Sequence, residues 1–166
     1  MSDKTKKFIK DIVPYIIIII VVILFKQFFY APIRVNGKSM QNTLKPGDIM
    51  ILDIVGVRSS GIKRFDIIVI DQGDDYIIKR VIGLPGEEVE YKDNKLYING
   101  KLVKDKYGQG ETSDFKVKVG KDKYFAMGDN RTNSLDSRYF GAFSKNKILG
   151  KTNFTVFPFN RFGKKE

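Results

Sequence analysis

The residue types that this chain lacks restrict the chemistry that it can perform. Its 166 residues include neither histidine nor cysteine, which excludes a Ser-His-Asp triad, a thiolate nucleophile, a disulfide and a metal site built on His or Cys. A group that titrates near neutral pH must therefore be a lysine, carboxyl or tyrosine with a strongly shifted pKa, or a chain terminus. The main remaining route to acyl transfer is a serine nucleophile paired with a lysine base.

Ser39 and Lys79 are the candidates for such a pair. Ser39 follows Gly37 in a turn-like segment, where its own backbone N–H would face a developing oxyanion. Lys79 lies in the apolar run of residues 76–82, which predicts a strand with apolar side chains on both faces. Burial in such a strand would lower the pKa of the lysine. Taken alone, each pattern is more typical of an ordinary turn serine and of a strand lysine whose ammonium reaches water.

Residues 128–138 are rich in polar side chains and directly follow the apolar residues 124–127. Their acidic and arginine side chains could form two-point ion pairs that pin a loop. A calcium loop would need a glycine at its sixth position and a closing glutamate, and both are missing. A further pattern, Ser60 with Lys63, matches the S-x-x-K spacing of penicillin-binding proteins, but the K-T-G partner is absent and the domain is too small.

The N-terminal residues predict a membrane anchor. Residues 1–11 carry four lysines and two aspartates, and residues 12–25 carry no charge. Extending the apolar segment to Tyr30 reaches the roughly 20 residues that a bilayer needs. The bulky residues 28–30 leave no small-x-small site, so cleavage as a signal peptide is disfavoured. We predict a cytoplasmic tail over residues 1–11, a transmembrane signal anchor over residues 12–30 and an extracytoplasmic domain over residues 31–166.

The remaining residues predict a mainly β domain, an antiparallel barrel-like or sandwich structure. Short β-branched runs alternate with turn residues, and no long amphipathic helix pattern follows Tyr30. Asn99-Gly100 is a two-residue hairpin signal. The polar, glycine-containing residues 104–114 predict a flexible loop. The strands are expected at residues 48–55, 66–71, 76–82, 95–103, 115–119, 123–127 and 148–157.

The net charge of +11 indicates an anionic partner. Lysines scattered through the chain supply most of it, and no arginine-rich run with interleaved aromatic residues is present, which argues against nucleic acid. Membrane lipid is the partner that agrees with the predicted anchor.

Three segments that follow the anchor in order are recognisable together. They are Ser39-Met40 with Thr43-Leu44, residues 79–86, and residues 128–138. This ordered set resembles bacterial type I signal peptidase, the leader peptidase family, in its compact Gram-positive-like form. The family usually has proline at the position of Asn42.

The resemblance implies a role for each matching residue. Ser39 matches the nucleophile, Lys79 the general base, Ser134 a second hydroxyl that orients the lysine amine, and Arg80 a structural arginine beside the base. Asp129, Arg131, Asp136 and Arg138 match the loop that holds the site together. The resemblance also implies a mainly antiparallel β domain, no cofactor and no metal ion.

The implied activity is removal of signal peptides from exported preproteins after small-x-small sequences such as Ala-x-Ala. Met40, Leu44 and Ile78 are expected to line the shallow pockets for the small side chains. Two alternatives remain open from the residues alone. One is a membrane-tethered β-module without enzyme activity that binds anionic wall polymer or lipid, and the other is a dedicated processor of one substrate class.

Overall fold

The computed structural model describes residues 3–165, with side chains described for residues 7–23, 29–57 and 59–165. The first element is helix α1 (Asp3–Phe29), and the rest is mainly β, as predicted. Two short helices, α2 (Gly56–Ser59) and α3 (Ser137–Phe140), interrupt the strands. Single 3-10 turns lie at Lys145–Lys147 and Phe159–Arg161.

Strands account for most of the chain after α1. They are β1 (Tyr30–Arg34), β2 (Ile49–Asp53), β3 (Ile67–Asp71), β4 (Tyr76–Gly83), β5 (Glu88–Lys92), β6 (Lys95–Ile98), β7 (Lys101–Val103), β8 (Phe115–Lys118), β9 (Lys123–Met127), β10 (Phe143–Ser144), β11 (Ile148–Phe157) and β12 (Gly163–Lys164). The strands expected from the β-branched runs are confirmed to within a few residues. Strands β1, β5, β10 and β12 are not among those expected from the sequence.

The strands form two antiparallel sheets. The larger has the order β1-β2-β11-β3-β4-β9-β10, with β12 paired to β11, and the smaller has the order β7-β6-β5-β8. The predicted hairpin is confirmed between β6 and β7. Its two turn residues, Asn99 and Gly100, have φ of 49° and 75°, the left-handed values that this tight turn requires. Buried aliphatic residues of β2, β3 and β4 fill the larger sheet's core.

Helix α1 stands apart from this core. The large apolar side chains described along residues 8–23 are exposed, for example 57% at Ile19. Within residues 3–165, no helix was found that combines the length and the hydropathy of a membrane span. The anchor predicted for residues 12–30 therefore stays a prediction. Its predicted end lies one residue beyond the helix, because Tyr30 begins β1 and pairs with Asp53 of β2.

Strands β1 and β4 position the candidate nucleophile and base. The chain leaves β1 at Arg34 and stays tied to the sheet, because the Val35 backbone N–H donates to the Asp48 carbonyl at 2.9 Å. Ser39 follows in the turn beyond it. Strand β4 pairs with β3 from Tyr76 to Arg80 and with β9 from Arg80 onward. Lys79 thus lies on a rigid strand facing a pinned turn.

Candidate active site

Ser39 and Lys79 are in direct contact, although they are 40 positions apart in the sequence. The Lys79 Nζ donates a hydrogen bond to the Ser39 Oγ at 2.6 Å. Lys79 is 3% exposed, whereas Ser39 is partly exposed. An accessible hydroxyl that touches a buried amine is the geometry that a serine nucleophile with a lysine base requires.

Burial changes the protonation of this lysine. It lowers the pKa of the Lys79 ammonium from 10.5 to about 8, because the charged form loses its hydration. The nearby carboxylates of Asp136 and Asp129 act in the opposite direction, and the Arg138 guanidinium adds to the lowering. About half of the lysine side chains are then neutral near pH 8 and can accept a proton from Ser39.

Arg80 lies on the face of β4 opposite to Lys79. Successive strand residues point to opposite faces, so Arg80 points away from Lys79. Its guanidinium forms a two-point ion pair with the Asp129 carboxylate, with Nε–Oδ1 at 2.8 Å and Nη2–Oδ2 at 2.7 Å. Both side chains are buried, at 1% and 0% exposure for the two residues. The ion pair fixes the loop after β9 against β4.

The same loop holds the Ser39 segment. The Thr43 hydroxyl donates to Asp129 Oδ2 at 2.6 Å, and the Asn130 backbone N–H donates to the Ser39 carbonyl at 2.9 Å. The Asn130 side chain also donates to the Lys38 carbonyl at 3.3 Å. The Ser39 segment is therefore attached to the loop on both sides, and the loop is attached to the strand that carries Lys79.

Asp136 closes the loop at its other end. Its carboxylate accepts hydrogen bonds from the Gly128 backbone N–H at 3.0 Å and from the Arg138 guanidinium at 2.9 Å. Burial alone would raise the pKa of Asp136, but these hydrogen bonds outweigh burial and hold the pKa below its ordinary value. Asp136 is thus a stable anion that joins the start of the loop to α3.

Ser134 lies inside this loop, next to Gly128. Its hydroxyl is close enough to Asp136 to help lower the pKa of that carboxyl. Within the described residues, however, the buried Ser134 Oγ forms no hydrogen bond of regular geometry. The hydrogen bond of the Lys79 Nζ goes to Ser39. An orienting role for Ser134 toward the lysine amine stays a prediction.

Arg131 brings two residues to the site that the motifs did not indicate. Its Nη2 donates to Asp105 Oδ2 at 2.5 Å, its Nη1 donates to the Tyr91 hydroxyl, and its Nε donates to the Gly128 carbonyl at 3.0 Å. Burial alone would raise the pKa of Asp105, but Arg131 and the Tyr91 hydroxyl outweigh it and hold the pKa below its ordinary value. Tyr91 lies on a strand that the sequence did not predict, and Asp105 lies in a polar segment. Neither belongs to a motif with a recognisable spacing, so the sequence did not indicate them.

The segment predicted as a flexible loop, residues 104–114, is hydrogen-bonded to the site. The Gln109 backbone N–H donates to the Asp129 carbonyl at 2.7 Å, and the Arg131 backbone N–H donates to the Gln109 carbonyl at 2.9 Å. The Asn42 side chain donates to Gln109 Oε1 at 2.7 Å, so this segment also reaches the turn after Ser39.

A groove of about 290 Å³ opens beside the two candidate residues. It is lined by Val35, Asn36, Gly37, Ser39, Met40, Asp75, Tyr76, Ile77, Ile78 and Lys79. Met40 and Ile78 were expected there, and both line it. Leu44 does not, because its fully buried side chain packs into the core cluster that contains Met40 and Ile78. The expected contact of Leu44 with a substrate stays a prediction.

The two walls of this groove are strand-like. In the described part of the chain, residues 76–79 of β4 pair only with β3, while the next residues pair with β9 as well. The Tyr76 hydroxyl links the walls at one end, where it donates to the Arg34 carbonyl at 2.7 Å and accepts from the Arg34 N–H at 3.1 Å. An extended peptide could therefore lie along β4 in the groove.

Gly128 provides a test of how tightly the loop must pack. A Cβ at this position would lie 2.5 Å from the Ser39 carbonyl oxygen and 2.6 Å from Ser134 Cβ. We expect Gly128→Ala to displace the nucleophile and to lower kcat by about a hundredfold, the effect of a misplacement of about 1 Å. Steady-state kinetics measure this change in kcat. Gly120→Ala is the control, because its Cβ would have ordinary contacts of 3.4 Å or more, and equal kcat in both variants would contradict this packing argument.

Comparison with protein families and known proteins finds close relatives of this chain. Residues 6–157 match the family model described as "Signal peptidase, peptidase S26". A signal peptidase I of Bacillus amyloliquefaciens is 41% identical over 162 residues, covering 90% of this chain and 88% of the relative. A signal peptidase IB of Staphylococcus aureus strain COL is 39% identical over 179 residues, covering 92% of this chain and 93% of the relative.

A solved structure is also similar in sequence. It is the crystal structure of a signal peptidase I from Enterococcus faecalis V583, with 38% identity and a TM-score of 0.49. The match covers 54% of this chain and 95% of that one.

Proposed function

We infer the function from the family, because this chain belongs to the signal peptidase family, peptidase S26. It is a serine endopeptidase that removes signal peptides from preproteins. The observation that carries the assignment of its active site is the buried contact of 2.6 Å between the Lys79 Nζ and the Ser39 Oγ. Both residues lie within the segment that matches the family.

We propose that Ser39 and Lys79 act as nucleophile and general base. Neutral Lys79 accepts the Ser39 proton as Oγ attacks the scissile carbonyl, and the lysine then protonates the departing amine. The resulting ester joins the signal peptide to Ser39. Lys79, neutral again, activates a water molecule that hydrolyses this ester. The Ser39 backbone N–H, which has no acceptor among the described residues, is available to stabilise the oxyanion.

The groove supports recognition of an extended segment that ends in small residues. The preprotein would lie as a strand against residues 76–79 of β4, with backbone hydrogen bonds giving affinity. Met40 and Ile78 line the groove together with Ser39. We propose that these two side chains admit small residues at the positions beside the scissile bond and exclude large ones, which gives small-x-small specificity.

Helix α1 is proposed as the membrane anchor. Its 27 residues include a long uncharged apolar segment whose described side chains are exposed. In a soluble protein such exposure would be costly, whereas lipid would cover these side chains. The lysines of residues 4–10 favour a cytoplasmic N-terminus, so the β domain would lie on the other side of the membrane.

Cleavage of preproteins by the purified full chain tests this function. Each preprotein of a panel is offered with its natural small-x-small sequence and with a bulky residue in place of the last residue of the signal peptide. We expect release of mature protein from the natural sequences and at least a tenfold lower kcat/KM for the bulky ones, because a bulky residue would clash with the Met40 and Ile78 side chains that line the groove. Binding of the panel without hydrolysis would contradict the assignment, and cleavage of one preprotein class alone would identify a dedicated processor.

The pH dependence of cleavage follows from the lowered pKa of Lys79. Only the neutral amine can accept the Ser39 proton, so kcat/KM should rise with pH through a midpoint of about 8 and level off above it. Below the midpoint, the rate should fall about tenfold per pH unit. Stopped assays over a pH series in a constant ionic strength buffer measure this profile. A flat profile from about pH 6 upward would be incompatible with a lysine base.

A further inference from the structure

Arg161 lies outside the segment that matches the family, yet its side chain contacts the part of the chain that carries Ser39. The family match ends at residue 157, and Arg161 follows in the 3-10 turn between β11 and β12. Its Nη2 donates a hydrogen bond to the Thr43 carbonyl at 3.1 Å. Neither the sequence motifs nor the family match gives this arginine a role.

The same guanidinium forms a two-point ion pair with Asp48. Its Nε donates to Asp48 Oδ1 and its Nη2 donates to Asp48 Oδ2, each at 2.9 Å. Asp48 is 1% exposed, and its carboxylate also accepts from the Lys45 backbone N–H at 2.9 Å. Burial alone would raise the pKa of Asp48, but the hydrogen bonds from Arg161 and Lys45 outweigh burial and hold the pKa below its ordinary value. Asp48 is thus a stable anion that fixes the guanidinium.

Thr43 and Asp48 both belong to the Ser39 loop, which comprises residues 35–48. The ends of this loop are joined, because the Val35 backbone N–H donates to the Asp48 carbonyl at 2.9 Å. Arg161 binds Thr43 inside the loop and Asp48 at its closed end. The arginine therefore limits how far the loop can shift relative to the sheet.

Thr43 transmits this restraint to the candidate nucleophile. Ser39 and Thr43 lie in one continuous turn, residues 39–43. A shift of Thr43 would move this turn and with it the Ser39 hydroxyl. Proton transfer needs that hydroxyl at hydrogen-bond distance from the Lys79 Nζ, which is 2.6 Å away. Arg161 can therefore affect catalysis without touching a reacting atom.

We propose that Arg161 is a positioning residue that keeps the Ser39 hydroxyl in contact with the Lys79 amine. The proposal rests on the mechanism proposed above for these two residues. The loop after β9 holds the turn through the Ser39 carbonyl and the Thr43 hydroxyl. Arg161 supplies a further attachment, at the Thr43 carbonyl. Without it, the turn would move away from Lys79, and water would reach the amine.

A second arginine provides a matched control. The side chain of Arg64 is 20% exposed and that of Arg161 is 21% exposed. Arg64 also binds a carboxylate, that of Glu87, at 2.7 Å, and a backbone carbonyl, that of Ile82, at 2.6 Å. Neither Arg64 nor these partners line the groove. Arg64→Met and Arg161→Met should both lower the Tm, because each substitution leaves a carboxylate without its arginine.

Preprotein cleavage by the purified full chain and the two variants, measured well below their Tm values, tests the proposal. We expect Arg161→Met to lower kcat roughly tenfold or more and to change KM less than about threefold, because Arg161 does not line the groove. The midpoint of kcat/KM should move to a pH above 8, because hydration of Lys79 raises its pKa. Arg64→Met should keep the kcat and the midpoint of the unmodified chain.

Arg161→Lys decides the question if Arg161→Met does not fold. Its ammonium can pair with Asp48 but cannot span that carboxylate and the Thr43 carbonyl as a planar guanidinium does. We expect about a threefold lower kcat with the midpoint again above 8.

Equal kcat and equal midpoints in the Arg161 and Arg64 variants would overturn the proposal and leave Arg161 a purely structural residue. A lowered kcat with an unchanged midpoint in the Arg161 variants would also overturn it, because the contact between Ser39 and Lys79 would then be intact. Failure of the unmodified chain to cleave, or a flat pH profile of that chain, would instead contradict the proposed pair of Ser39 and Lys79. The two failures are therefore distinguishable.

Discussion

Replacing Ser39 by alanine should abolish preprotein cleavage, with a loss on the order of 10⁴- to 10⁶-fold in kcat. The substitution removes the oxygen that forms the ester and leaves the turn intact, because the Ser39 carbonyl still accepts from Asn130. Lys79→Ala should have a loss of similar size, since an unactivated hydroxyl is a weak nucleophile. Single-turnover cleavage of a preprotein, followed by gel densitometry, measures both losses.

Matched controls distinguish loss of chemistry from loss of structure. Ser113→Ala and Lys101→Ala change exposed residues of the same types that do not line the groove, and these variants should cleave at the unmodified rate. The Ser39→Ala, Lys79→Ala double variant should be no slower than either single variant, because residues that act as one unit are not additive. The pairing would be contradicted if the losses in kcat of the two single variants multiplied in the double variant. Near-normal turnover of either single variant would also contradict it.

Asp129→Ala should cause the largest loss of stability. It leaves the Arg80 guanidinium buried without its carboxylate and removes the acceptor of the Thr43 hydroxyl. Removing one partner of a buried ion pair costs about 3–5 kcal/mol, a large part of the roughly 5–15 kcal/mol that holds a domain folded. Urea unfolding followed by circular dichroism measures the change in the free energy of unfolding.

The design of this experiment includes two comparisons. Asp74→Ala removes an exposed carboxylate on the surface and should change the free energy of unfolding by less than about 0.5 kcal/mol. Arg80→Met combined with Asp129→Leu should regain much of the lost stability, because no unpaired charge stays buried. If Asp129→Ala unfolds at the same urea concentration as Asp74→Ala, the ion pair does not hold the loop in place.

Local patterns predicted the strands well because β-branched runs and turn residues act over a few positions. The hairpin at Asn99-Gly100 is the clearest case, since both residues adopt the left-handed conformation that the turn needs. The contact between Ser39 and Lys79 could not come from such patterns. This contact depends on how β1, β4 and the loop after β9 pack together. Periodicity alone predicted Lys79 to be an ordinary strand lysine whose ammonium reaches water. The ordered motifs, through their resemblance to a family, supplied that long-range information.

The parts of the site that went unpredicted share one physical cause. Tyr91 and Asp105 bind Arg131 through contacts between separate sheets and loops, and neither lies in a recognisable motif. Residues 104–114 have the composition of a flexible loop, yet their backbone is paired with the site loop. Leu44 and Met40 have the same apolar character and belong to the same core cluster, and only the structure shows that Met40 also lines the groove. Tertiary packing decided each case.

Rapid quenching of the first turnover tests the central claim most directly. The full chain is mixed with a preprotein near pH 8, stopped with acid at successive times and digested for mass spectrometry. The dyad predicts that the signal peptide appears transiently as an ester on Ser39, more slowly at lower pH with a midpoint of about 8, and not at all in Lys79→Ala. Release of mature protein at the full rate while Ser39 stays unmodified would contradict the claim.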